Sequence, residues 1–335
     1  MRRKRGSIMI WILNGLLIAA FCAALAGYHH YASFLESQEV AERWRGDSDV
    51  RFAQVSSFRP VGEELSRNDI EQFRSGIETA LVDASIDVEG DVSVWVDAFS
   101  SESKLTVTGS RGAIEATAYA IGGQYFTFHP LKLVSGSYIT EADFARDGVV
   151  LTRELAWSLF GAVDVAGMTV TIDGEPYVIA GVVDMENDTA SVAAGAGGQC
   201  IYLHSDALYL STDKVIDCYE IVLTDPITGF AKTTVTEKLP AGGEVVENSA
   251  RYRLSNIAGI ILEFGKRSMS TSGILYPYWE NAARYTEDWM ALMLVFAVLA
   301  AVVPAVFAVI VVVQVIRRLN TQGKRVARKI KDRYE

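Results

Sequence analysis

The chain has 335 residues, half of them hydrophobic, and a formal net charge of −10 at pH 7. The two ends carry 12 basic residues against two acidic ones, so the remainder has a net charge of −20. Nucleic-acid phosphates require basic partners, and a middle region this acidic therefore excludes nucleic-acid binding as its main role.

The first element is an apolar run without any charged residue over 8–27, preceded by four basic residues in 1–7. About 20 apolar residues suffice for a helix to cross a bilayer, and flanking Lys and Arg stay in the cytoplasm. The run is longer than the apolar part of a secretory signal, although Ala24-Leu25-Ala26 would offer a cleavage site. We therefore predict transmembrane helix 1, with residues 1–7 forming a cytoplasmic basic N-terminus.

A second uncharged run of 27 residues covers 290–316, and eight basic residues follow in the tail 317–335. This predicts transmembrane helix 2, a cytoplasmic tail, and a cell-membrane protein with everything between the two helices outside. The basic ends either attract anionic inner-leaflet lipids or only set the topology. Small residues repeat every four positions in both helices, which indicates either a helix–helix seam, within the chain or in a homo- or hetero-oligomer, or only a high alanine content; these are Gly15, Ala19, Ala23, Gly27, Ala297, Ala301 and Ala305.

Between the helices, we expect a helical stalk over 28–48, an extracytoplasmic core domain over 49–273, and a second stalk over 274–289. The core opens with a strand at Val50–Phe58 and a helix that starts at Ser66, because Ser66 and Asp69 have the spacing of a capping box. Predicted strands follow at 92–99, 104–108 and 113–120.

Residues 124–184 contain the clearest local signals. We predict a short helix over Arg153–Phe160, ended by Gly161, and a β-hairpin that turns at Asp173-Gly174. Two strands that begin at Cys200 and Cys218 follow, then a helix over 226–238 and a less regular stretch. Strands that alternate with a few helices indicate an α+β fold.

The cysteines leave two interpretations open. Cys22 lies in the first apolar run, whereas Cys200 and Cys218 lie in the exported region, where a disulfide can persist. Adjacent strands would bring the two together; otherwise they are two small buried residues.

No catalytic, cofactor-binding or metal-binding residue is predicted, and the chain is not expected to be an enzyme. His29, His30, His129 and His204 have no carboxylate or histidine partner at a known motif spacing. Asp184, Glu186 and Asp188 alternate as calcium ligands do, but the glycine and the closing carboxylate of a calcium loop are absent. Gly265-Lys266-Arg267-Ser268 only partly matches the sequence pattern of a phosphate-binding loop. Asn187-Asp188-Thr189 is a glycosylation sequon.

An ordered series of residues carries a family resemblance: Tyr125-Phe126, Leu131, Leu133, Gly136, Asp143, Val149-Val150-Leu151, Ala156, Leu159-Phe160-Gly161, Gly167, and Tyr177 to Val183 with Gly181. This pattern resembles the extracytoplasmic core domain of MacB-type and FtsX-like ABC transporter permeases. The resemblance implies a two-lobed domain carried by two membrane helices, and a cytoplasmic ATPase that moves those helices. The family's permeases continue with two further membrane spans after the second. The present sequence differs, since it ends 19 residues after the second apolar run.

Two functions follow as hypotheses. The first is a non-enzymatic membrane subunit of an ABC-type transport or mechanotransmission system, partnered by an ABC ATPase or further permease subunits. The alternative is a membrane-anchored extracellular sensor or binding module that is not coupled to an ATPase.

Overall fold

The computed structural model describes residues 2–32, 35–86, 93–207, 216–263 and 273–334. It divides the chain into two compact units. One unit comprises Met1–Ser33 together with Asp288–Glu335, and the other is Phe34–Glu287.

The helices and strands of the described residues are as follows. The helices are α1 (Arg2–Ala32), α2 (Val40–Arg45), α3 (Arg67–Asp83), α4 (Tyr125–Phe128), α5 (Arg153–Phe160), α6 (Thr189–Ala193), α7 (Phe230–Lys238), α8 (Leu254–Glu263) and α9 (Tyr278–Tyr334), with single 3₁₀ turns at Glu36–Gln38 and Asn248–Ala250. The strands are β1 (Phe52–Phe58), β2 (Trp95–Gly109), β3 (Gly112–Gly123), β4 (Lys132–Gly136), β5 (Gly148–Thr152), β6 (Thr169–Ile172), β7 (Glu175–Asp184), β8 (Cys200–His204), β9 (Cys218–Thr224) and β10 (Glu244–Glu247).

The ten strands of the described residues form one mixed sheet, in the order β10-β1-β9-β2-β3-β8-β5-β7-β4, with β6 pairing to β2 and β7. The β3–β8 and β5–β7 pairs are parallel, and the others are antiparallel. Helices and strands thus share one domain, and the predicted α+β class is confirmed.

Both faces of the sheet are covered, and side-chain alternation along each strand shows how. In β9, Tyr219, Ile221 and Leu223 enter one core cluster, whereas Cys218 and Val222 enter the cluster on the opposite face. Every residue of β9 is buried for this reason.

One face of the sheet carries two separate cores. The first is built on β1 and β9 with α3 and α7, and contains Phe73, Ile77 and Val235. The second is built on β5, β7 and β8 with α5, and contains Leu155 and Leu159. The long strand β2 reaches both cores, because Phe99 lies in the first and its Val107 in the second.

Local signals in the sequence set the predicted starts and ends of elements. The Ser66 hydroxyl accepts a hydrogen bond from the Asp69 amide, and the Asp69 carboxylate accepts one from the Ser66 amide, which completes the capping box of α3. Gly161 ends α5 in the left-handed conformation, at φ 72°. Asp173 and Gly174 both have positive φ and close the β6–β7 hairpin, with Ile172 paired to Glu175.

The glycines of the family pattern act through close backbone packing. A Cβ atom at Gly181 would lie 2.3 Å from the carbonyl oxygen of Ser137. A Cβ atom at Gly136, which has φ 74°, would lie 2.1 Å from the carbonyl oxygen of Ala180. The β4–β7 pairing therefore depends on residues without side chains at these two positions.

Residues 35–48 and 274–287, which the sequence assigned to the two stalks, instead belong to the compact unit Phe34–Glu287. Helix α1 ends at Ala32, so the expected helix does not continue to residue 48. The buried amide of Gln54 in β1 donates to the Ser37 carbonyl at 2.7 Å and accepts from the Val40 amide at 3.2 Å. These bonds hold the segment against the sheet, where Val40 and Ala41 are buried.

The second such segment precedes the second apolar run. Ile274, Tyr276, Tyr278 and Trp279 belong to the core cluster that Val40 also joins, and Ala282 and Ala283 are fully buried. The first turns of α9 are therefore an internal helix of the domain. The two predicted strands 92–99 and 104–108 also merge, because β2 runs without a break from Trp95 to Gly109.

Cys200 and Cys218 are buried and unbonded. Strands β2 and β3 lie between their strands β9 and β8. Three strand spacings place them about 14 Å apart, beyond the roughly 7 Å that a disulfide tolerates between Cα atoms. The interpretation of two small buried residues fits this strand order.

In the other unit, α1 and the later part of α9 are both long and apolar enough to cross a membrane. They contact each other edge-to-face through Trp11 and Phe307, with ring centroids 4.8 Å apart. A Cβ atom at Gly27 would lie 3.3 Å from the Met293 sulfur, whereas one at Gly15 would meet nothing within 4 Å. The seam thus uses Gly27 but not Gly15. Asn14 donates to the Ile10 carbonyl of its own helix at 2.8 Å.

Candidate functional site: the charged junction

A network of polar and charged side chains, most of them buried, joins three distant parts of the chain within the domain. We call it the charged junction; it consists of Gln38, Glu244, Arg251, Glu280, Arg284 and Glu287. Gln38 follows the first apolar run, Arg251 precedes α8, and the last three residues lie on α9.

Arg251 is the centre of the charged junction. Its guanidinium forms a bidentate pair with Glu280, at 2.5 and 2.8 Å, and its Nε donates to Glu287 at 2.8 Å. Its Nη1 also donates to the Gln38 side-chain oxygen at 3.1 Å. Only 3% of the Arg251 side chain is exposed. One arginine therefore ties the segment after α1 to the part of α9 that precedes the second apolar run.

Arg284 forms the second half of the charged junction. It donates to Glu280 at 2.6 Å and to Glu244 at 2.9 Å. Its guanidinium lies 4.0 Å from the ring centroid of Tyr276, a cation–π contact. Tyr276 in turn donates a short hydrogen bond to Glu244.

The electrostatics favour the charged forms of Arg251 and Glu244. Burial by itself lowers the pKa of Arg251, but Glu280 and Glu287 raise it above its ordinary value. Burial likewise acts to raise the pKa of Glu244, yet the Tyr276 hydrogen bond and Arg284 bring it below the usual range. Removing one member would leave a buried charge without its partner, which is the costly way to break such a network.

The helical spacing on α9 explains the arrangement. Glu280, Arg284 and Glu287 are separated by four and three residues, so they share one face of the helix. This face was visible in the sequence as a charged stripe just before the apolar run. Its partner Arg251 was not, because Arg251 lies in an irregular stretch with no periodicity to mark it.

An aromatic nest lies on the sheet face to which Cys218 and Val222 of β9 point. It is formed by Tyr125, His129, Tyr202, Tyr278 and Trp279. The ring centroid of His129 is 4.3 Å from that of Trp279 and 4.6 Å from that of Tyr125. The His129 Nε2 hydrogen-bonds to the carboxylate of the buried Glu220 at 2.6 Å. The nest thus seats the first turn of α9 against the sheet.

The structure separates the remaining histidines from this nest. His204 ends β8, with its Nε2 3.6 Å from the Asp143 carboxylate and its Nδ1 3.2 Å from Arg146. His29 and His30 lie in the last turn of α1. No three His, Cys, Asp or Glu side chains among the described residues are grouped as a metal site would require.

The three alternating acids have separate partners rather than a common ligand. Asp184 pairs with Arg153 at 2.5 Å, and Asp188 caps α6 by accepting from the amides of Ala190 and Ser191. Burial raises the pKa of Glu186, which lies between them. Residues 265–268, the partial match to a phosphate-binding loop, fall outside the described part of the chain.

Comparison with known families decides the assignment of this domain. The sequence model of the MacB-like periplasmic core domain matches residues 21–229. The chain belongs to this family. The predicted resemblance is confirmed, and Phe34–Glu287 contains a permease-type extracytoplasmic domain of the MacB-like kind.

Individual relatives are more distant. Over 86 residues the chain is 34% identical to the macrolide export ATP-binding/permease protein MacB of Aggregatibacter actinomycetemcomitans, which is 25% of this chain and 13% of that protein. The periplasmic region of MacB from Actinobacillus actinomycetemcomitans is 16% identical, with a TM-score of 0.44 over 69% of this chain and 99% of its own. The extracellular domain of the noncanonical ABC-type transporter YknZ from Gram-positive bacteria is 18% identical, with a TM-score of 0.40 over 58% of this chain and 100% of its own.

Proposed function

We propose that this chain is a non-enzymatic membrane subunit of an ABC-type transport or mechanotransmission system. Its extracytoplasmic domain binds or gates a substrate or partner, and a separate cytoplasmic ATPase supplies the energy. Both termini, 1–7 and 317–335, lie in the cytoplasm, as the flanking basic residues favour.

The observation that carries this proposal is the continuity of α9. The helix begins in the domain core, where Trp279 is buried, and continues without a break through the second apolar run to Tyr334. A displacement of its cytoplasmic end has no flexible linker to absorb it before it reaches the domain.

The charged junction supports the same proposal. Because Arg251 holds Gln38 and α9 together, the two chain segments that lead to the membrane are fixed to one another inside the domain. A binding module that is merely tethered needs no such rigid coupling.

The partner is tested by recovery of the intact protein in mild detergent, with crosslinking before lysis. We expect an ATPase with a phosphate-binding loop to be recovered with it. A matched variant replaces Arg325, Arg328 and Lys329 of the tail by glutamate and should lose that partner while still inserting into the membrane. Recovery without any ATPase in repeated crosslinking experiments would favour the sensor hypothesis instead.

The topology is tested separately with protease added to sealed, right-side-out cells. We expect cleavage within Phe34–Glu287 and protection of tags at both ends. Cleavage of a terminal tag, with the domain protected, would contradict the proposed orientation.

A further inference from the structure

Helix α8 has an apolar stripe that faces away from the domain. At 100° per residue, Leu254, Ala258, Ile261 and Leu262 fall within an arc of about 100°. Leu254 is 59% exposed and Leu262 is 87% exposed, whereas Ala258 and Ile261 are half-buried. Two large apolar side chains of this helix, Leu254 and Leu262, are therefore exposed.

The polar side of α8 faces the charged junction. Asn256 and Glu263 line a cavity of about 650 Å³ together with Arg251 and Glu287 of the junction. A surface helix of a soluble domain normally turns its apolar stripe toward the core, whereas α8 buries Ile257 beside the stripe and leaves Leu254 and Leu262 exposed. The exposed part of the α8 stripe is thus left without a cover by the described residues of the domain.

The position of α8 along the chain indicates what covers the exposed part of this stripe. Arg251, three residues before the helix, donates to Glu287 of α9 at 2.8 Å. Glu287 precedes Met290, the first residue of the second uncharged run, by three residues. At a rise of 1.5 Å per residue this is about 4.5 Å of helix. The start of α8 is therefore fixed beside the turn of α9 that directly precedes the apolar run in the sequence.

We propose that α8 is an interfacial helix that rests on the outer surface of the lipid bilayer. Leu254, Ile261 and Leu262 enter the boundary between headgroups and acyl chains, as the apolar faces of interfacial helices do. Because the exported part of the chain is strongly acidic, apolar burial rather than anionic lipid drives the contact. This contact goes beyond the proposed transport function and does not depend on an ATPase partner.

The test uses the full chain in nanodiscs, each holding one copy, with a nitroxide label at Leu262→Cys. Cys22→Ala removes the exposed native thiol, and the parent without an added cysteine shows whether buried Cys200 and Cys218 take any label. Collision with oxygen reports a lipid environment, and collision with a water-soluble nickel chelate reports water. Val82→Cys on α3, where the side chain is 67% exposed, is the matched control.

We expect the oxygen-to-nickel collision ratio at 262 to exceed that at 82 several-fold, equally in neutral phosphatidylcholine and in its mixture with anionic phosphatidylglycerol. A ratio at 262 equal to that at 82 would overturn the proposal, because the stripe would then face water. Shielding of 262 from both reagents would also overturn it and would indicate a protein cover. Since no ATPase is present in the nanodiscs, neither outcome bears on the transport function.

Discussion

Arg251 and Arg67 are both surrounded by carboxylates, yet they lie in very different surroundings. Arg251 contacts Glu280 and Glu287 with 3% of its side chain exposed. Arg67 on α3 contacts Glu71 at 3.1 Å and Asp206 at 3.3 Å with 42% exposed. The number of contacts is similar, but the dielectric environment differs. A buried charge cannot exchange its partners for water, so each partner in the charged junction is needed, whereas solvent replaces those of Arg67.

The largest loss of stability is expected for Arg251→Met in the intact protein. It removes the guanidinium that contacts both Glu280 and Glu287, while Arg284 still contacts Glu280, and the free energy of unfolding should fall by about 3–5 kcal/mol. Denaturant unfolding in detergent micelles measures the loss. The control is Arg45→Met, since Arg45 pairs with Glu42 on the surface of α2. Equal losses in the two variants would show that burial does not distinguish the sites.

Asp217 is a largely buried carboxylate without an arginine partner among the contacts described for it. Its desolvation, together with Glu102, raises its pKa to about 7, although the Glu102 amide donates to it at 3.2 Å. A raised carboxyl pKa contributes stability below the unfolded value, and this contribution is lost as pH rises from about 4 to about 7.

The free energy of unfolding of Asp217→Asn, relative to that of the wild type, should therefore be higher at pH 8 than at pH 4 by roughly 2–4 kcal/mol. Unfolding of wild type and variant across this pH range measures the difference. Asp206→Asn at the surface is the matched control. A variant that keeps the wild-type pH slope would show that Asp217 is not the group responsible.

Arg74 and Asp97 form an intermediate case. Arg74, 18% exposed, donates to both oxygens of the buried Asp97 at 2.8 and 2.9 Å, and Tyr219 donates to the same carboxylate at 2.8 Å. Asp97→Asn should lower the free energy of unfolding by about 1–3 kcal/mol, between the two extremes. A loss as large as that of Arg251→Met would remove the proposed gradation with burial.

The smallest effect is expected for the exposed pair of Arg67 and Glu71. A double-mutant cycle with Arg67→Met and Glu71→Gln should give a coupling energy below about 1 kcal/mol, which decreases further in high salt. A salt-independent coupling energy of several kcal/mol would contradict this, because the surface pair would then be as strongly coupled as a buried one.

Several features of the fold were predictable because their causes are local. The capping box at Ser66, the left-handed Gly161 and the turn at Asp173-Gly174 depend on residues within four positions of each other. The family pattern around Leu159-Phe160-Gly161 was equally local, and it led to the right family. The ends of strands were predicted less accurately. Strand β2 continues through a stretch of exposed polar residues, because pairing with β3 keeps that stretch extended.

The charged junction could not be predicted, because Gln38 and Arg251 are 213 positions apart. No period or spacing connects them, and only the sheet brings the segments together. The same limit applies to the stalk boundaries: the chain before β1 and the first turns of α9 look like exposed helix until Gln54 and the aromatic nest bury them.

The sequence by itself determined the two apolar helices, the acidic region between them and the α+β class, because hydropathy, charge and local turn chemistry act over short distances. The tertiary structure decided which charges are buried together, that α9 starts inside the domain, and that α8 leaves Leu254 and Leu262 exposed. Those outcomes depend on contacts between residues far apart in the chain, and such contacts exist only after the sheet has formed.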